Sequence, residues 1–79
     1  MQSKEIPMTP FLHSKAEGLS TGATSFILDD AVVVLKRGAD GQWKAFEVTG
    51  IEDTERARYY AGMYLQTMST EQLAGAKPI

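Results

Sequence analysis

The chain has 79 residues, with eight Lys or Arg against ten Asp or Glu, a net charge of −2 and no cysteine. That length holds one core, and the missing thiols exclude disulfides, thiolate metal sites and thiol catalysis together. The mild charge supplies no overall field toward nucleic acid or a membrane surface. Ordering such a chain costs on the order of 100 kcal/mol of conformational entropy, and a small domain buries a lesser share of its surface. The composition therefore calls for a well-filled core or for self-association. No apolar run approaches the roughly 20 residues that cross a bilayer, and the first ten residues lack the apolar stretch of a signal peptide. A cytoplasmic protein is the expectation.

Residues 1–22 show no sustained period. Pro7 and Pro10 read as helix breakers, and Gly18, Ser20, Thr21 and Gly22 read as loop. This predicts an irregular N-terminal arm, with a single α+β domain over 23–79. Ile6, Met8, Phe11 and Leu12 are apolar, so the arm should lie extended against the domain or a partner.

Three runs rich in β-branched and aromatic residues follow, at 24–28, 31–37 and 42–49. Asp29-Asp30 and Gly38-Ala39-Asp40-Gly41 separate them and are short enough only for hairpins. The prediction is a three-stranded antiparallel meander. A three-residue loop with Gly41 in the left-handed position pairs Gly38 with Gln42, Val34 with Phe46 and Val32 with Val48. A one-residue slip would oppose Val32 to Glu47 and scatter the apolar set.

Residues 53–68 are predicted to form the main helix. Ala57, Tyr60, Ala61, Tyr64, Leu65 and Met68 recur at three- and four-residue steps as one stripe, with Asp53 as the expected N-cap. Gly62 would allow a close approach to the sheet. Ser69 and Gln72 make a capping box, with Met68 and Leu73 at the staple positions, which predicts a one-turn helix over 70–74. Gly75 ends it and Pro78 prevents its continuation. The fold class is α+β, in the order βββα followed by a short C-terminal helical turn.

One helix covers one sheet face, here Val32, Val34, Phe46 and Val48, joined by Ile27. The reverse face is also apolar, with Phe26, Val33, Leu35, Trp43 and Ala45. A run such as 31–35 reads as a strand buried on both faces, so something must cover the second one. The N-terminal arm, a second copy of the chain or another protein could do so. On the second and third readings Phe26, Val33, Leu35 and Trp43 anchor binding, with Arg37 at the rim.

No catalytic pattern accompanies these residues. His13 is the only histidine and no motif surrounds any serine. Asp29-Asp30 fits a turn, and Glu52, Asp53 and Glu55 fit a helix start. The expectation is a non-enzymatic module without cofactor, metal or small-molecule substrate, acting on another protein or forming a homodimer. Small acidic chains without cysteine are frequent among accessory and inhibitor proteins of phages and mobile elements, anti-CRISPR inhibitors included. The alternative is a sheet-based nucleic-acid binder using Lys36, Arg37 and Lys44 beside Trp43. The acidic residues around that cluster disfavour it.

Overall fold

The computed structural model describes residues 2–75. Its elements are β1 (Gln2–Ile6), α1 (Pro10–Ala16), β2 (Ala23–Leu28), β3 (Ala31–Arg37), β4 (Trp43–Thr49), α2 (Glu55–Leu65) and α3 (Thr70–Ala74). The class is α+β, with one antiparallel sheet in the order β1-β4-β3-β2.

The meander over β2 to β4 forms in the expected register. Val34 opposes Phe46, Val32 opposes Val48, and Phe26 and Ile27 oppose Val33 and Val32. Turn chemistry sets this alignment. Gly41 takes φ 81 and the Gly38 N–H donates to the Gln42 carbonyl at 2.8 Å. Asp29, at φ 57, supplies the left-handed residue of the tighter hairpin.

The sheet has four strands, not three, because the N-terminal segment is not an irregular arm. Gln2–Ile6 pairs with β4 from Gln2↔Thr49 to Ile6↔Ala45, so this segment is part of the sheet. Pro10 does not block a helix; it begins one. Proline is tolerated at the first helical position, where its missing N–H has no intrahelical partner. Thr9 caps α1, and its hydroxyl accepts from the Leu12 N–H at 3.3 Å.

The result is three layers. On one side α2 and α3 close a core of Val32, Val34, Phe46, Val48, Leu65 and Leu73. On the other, Leu12 and Ala16 of α1 close a second core over Val33, Leu35 and Ala45. The 70–74 helix and its capping box form as expected: the Ser69 N–H donates to Gln72 Oε1 at 2.8 Å, and the Gln72 N–H donates to Ser69 Oγ at 3.1 Å. Gly75 is its C-cap, and Pro78 lies outside the described residues.

The main helix is shorter than the stripe suggested, and it is turned. Thr54, not Asp53, is the N-cap, accepting from the Ala57 N–H at 3.0 Å. Asp53 stands outside it and pairs with Arg58 at 2.6 Å. Gly62 and Leu65 are the buried residues of α2, with Gly62 against Ser25 and Val32. Centring the sheet-facing arc on Gly62 turns Tyr60 and Tyr64 outward, so neither joins the core. At the far end Lys36 Nζ donates to the Gln66 carbonyl at 2.6 Å, placing a cation at the negative end of the helix dipole.

Candidate interaction surface

The residues expected to anchor a partner are largely enclosed by the chain itself. Val33 and Leu35 are 0 % exposed beneath α1, which removes both as anchors. Phe26 is half-buried, edge-on to Phe11 at 6.1 Å between centroids, with Lys15 Nζ 5.7 Å from its ring. The first of the covering readings, the N-terminal segment, is the one realised. It covers the face with a helix that follows a fourth strand of the sheet, instead of as an extended arm, since α1 can bury Leu12 and Ala16 four residues apart on one side.

Trp43 and Arg37 stay at the border of that core. The Arg37 guanidinium lies 5.8 Å from the Trp43 ring centroid, and the pair flanks a shallow cleft with His13, Glu17 and Leu19. The cleft brings together an imidazole, a carboxylate and a guanidinium, with no hydroxyl or thiol nucleophile among its lining residues. Among the described residues no cluster of three His, Asp or Glu could hold a metal ion.

The three cations of the nucleic-acid alternative do not share a face. Lys36 opposes Lys44 on the α2 side of the sheet, whereas Arg37 opposes Trp43 on the α1 side. Lys36 is also engaged at the end of α2. Arg37 alone stays beside Trp43, so the expected cluster of three cations around that ring is not formed.

The open apolar surface lies elsewhere. On α2, Tyr59, Tyr60, Met63 and Tyr64 are 55, 57, 51 and 63 % exposed. Tyr59 and Tyr60 tilt together at 5.7 Å, and the Arg56 guanidinium sits 5.8 Å from the Tyr60 ring centroid. Along the flank facing β2, Tyr59, Met63 and Ile27 border a groove of about 340 Å³. Gln66 Nε2 donates to Ser25 Oγ at 2.7 Å and ties its floor together. Ile27, at 40 % exposed, extends this surface onto the outer strand, whereas Leu28, at 45 % exposed, lies on the opposite face of the sheet.

Sequence periodicity misplaced Tyr60 and Tyr64 because small and aromatic residues share the three- and four-residue spacing. The signal that separates them is Gly62. A glycine inside a helix marks the line of closest approach, and measured from it the two tyrosines lie on the outer arc.

Together these features define a small α+β domain, sealed on both sheet faces by its own helices, that displays one tyrosine-rich helix. Compared with protein-family models, with curated proteins and with solved structures, the chain matches none. Among the described residues no helix is long and apolar enough to cross a membrane.

Proposed function

We propose that the protein is a non-enzymatic binding module that acts by laying the outer face of α2 on a partner protein. The observation that carries this is the row Tyr59, Tyr60, Met63 and Tyr64, four large side chains each more than half exposed on one short helix. Exposed apolar patches of this kind mark interaction sites on small proteins. Tyrosine, methionine and arginine are the residues enriched at protein interfaces, and Arg56 sits at the edge of this patch. Tyrosine also gives large contact area at low conformational cost. Size, acidity and the absence of cysteine fit a cytoplasmic accessory or inhibitor protein of phage or mobile-element type, whose task is to occupy a surface.

The test begins with the immobilised chain, identification of what it retains, and measurement of affinity with the purified partner. Tyr60→Ala with Tyr64→Ala should weaken binding by at least about tenfold, the loss of one hot spot, with the circular dichroism unchanged. Equal affinity of the double variant and the parent chain would place the binding surface elsewhere.

A further inference from the structure

The two edges of the sheet differ in a way that points to a specific partner. β1, at one edge, carries Lys4 and Glu5 and is followed by Pro7, which are devices that discourage strand addition. β2, at the other edge, reads Ala-Thr-Ser-Phe-Ile-Leu, with neither charge nor proline. Its backbone direction follows from the ladder. The Arg37 N–H donates to the Gly22 carbonyl at 2.8 Å, so Gly22 and Arg37 form a hydrogen-bonded pair. Such pairs alternate along an antiparallel ladder. Thr24, Phe26 and Leu28 therefore bond to β3, while the N–H and C=O groups of Ala23, Ser25 and Ile27 point away from the sheet, the Ala23 carbonyl accepting there from Thr21 Oγ1 at 3.1 Å.

We propose that β2 pairs antiparallel with β2 of a second copy, about a two-fold axis at Ser25, to make one continuous sheet across a homodimer. In this register Ala23 meets Ile27 of the second copy, Thr24 meets Phe26, and Ser25 meets itself. A small side chain faces a large one at every off-axis position, and every outward N–H and C=O of the three residues finds a partner. Antiparallel pairing also sends the Asp29-Asp30 turns to opposite ends, whereas parallel pairing would set these carboxylates side by side.

The helices fit the same geometry. α2 lies over both β2 and β3. With the helix above the midline of those strands, joining β2 to its copy separates the two α2 axes by two strand spacings, about 10 Å. Packed helices sit about 8–10 Å apart. Edge pairing thus brings the helices into contact without rearrangement and encloses the flank of Tyr59, Met63 and Ile27. Tyr60 and Tyr64 stay outward in either state, whereas Tyr59 and Met63 of the proposed binding face pass into the dimer, leaving Tyr60, Tyr64 and Arg56 to meet a partner.

Molar mass by light scattering over a range of concentrations, together with amide hydrogen exchange, tests it on the full chain. The expected result is a dimer in which the Ser25 and Ile27 amides gain at least about tenfold protection over the dilute protein. The Thr24 and Phe26 amides, bonded within the chain, should be protected throughout. Ile27→Lys should give a folded monomer in which the amides at positions 25 and 27 exchange freely. A single-chain mass at every concentration would overturn the proposal, including the case in which β2 accepts only a foreign strand. So would a dimer whose Ser25 and Ile27 amides exchange freely, or a folded Ile27→Lys variant that remains dimeric. Should that variant not fold, the concentration dependence of the two amides in the parent chain decides alone.

Discussion

Gly62 of α2 lies so close to β2 that a Cβ at this position would stand 2.6 Å from the Ser25 hydroxyl and 3.3 Å from Ser25 Cβ. The contact fixes the helix's rotation, and with it which tyrosines face water. Alanine in an exposed helix interior would gain about 1 kcal/mol over glycine. Here overpacking should outweigh that gain and leave Gly62→Ala destabilised by roughly 1–3 kcal/mol in urea unfolding. Because the two residues touch, Gly62→Ala and Ser25→Ala should couple by at least about 0.5 kcal/mol in a double-mutant cycle. A Gly62→Ala protein more stable than the parent would mean that α2 sits higher on the sheet.

The lid over the second core depends on a short helix and therefore on its cap. Thr9→Ala removes the hydroxyl that accepts from the Leu12 N–H and should cost about 1 kcal/mol. The loss should be local. Exchange of α1 amides should quicken while those of α2, held by a separate core, keep their protection. Uniform loosening of both helices would show that the two cores do not open separately.

Acid should weaken the docking of α3. The Glu71 carboxyl is held below its ordinary pKa of 4.5, first by its own backbone N–H and then by the Ser69 hydroxyl, which outweigh desolvation, with smaller help from Thr70 and Lys44. A carboxylate whose folded pKa is lowered stabilises fully above its unfolded value. That contribution is lost as pH falls through the folded one. Urea unfolding across the acid range should therefore show a steeper loss of stability in the parent than in Glu71→Gln. Identical pH profiles would mean that the Glu71 contacts form equally in the unfolded chain.

Hairpin register was legible because local chemistry and apolar alternation agreed. Gly41 and Asp29-Asp30 specify tight turns, and only one alignment gathers Val32, Val34, Phe46 and Val48 on a face. Ser69 and Gln72 announced α3 for the same reason, since a capping box is read from neighbours alone. β1 could not be read so. Gln2, Ser3, Lys4 and Glu5 show no apolar alternation, because the strand is paired along its length with β4 and half-buries only Ser3 and Ile6. α1 is anchored by only Leu12 and Ala16, too few for a periodic signal, and its proline suggested an ending instead of a start.

The interaction surface was legible in part. The need to cover both sheet faces followed from the strand at 31–35, and both faces are covered. What no single-residue pattern revealed was the source of the cover, a contact between segments far apart in the chain. With α1 supplying it, the exposed apolar area moved from the sheet to α2 and the β2 edge, where Met63 and Tyr59 continue the surface of Ile27.

Thermal unfolding of two double variants most directly tests where the open surface lies. Leu35→Ser with Trp43→Ala should abolish the cooperative transition or lower stability by at least about 3 kcal/mol, since Leu35 is wholly buried beneath α1. Tyr60→Ser with Tyr64→Ser should melt within about 0.5 kcal/mol of the parent for each exposed site changed. The opposite ranking, with the Leu35 and Trp43 pair dispensable for folding and the two tyrosines essential to it, would contradict the account.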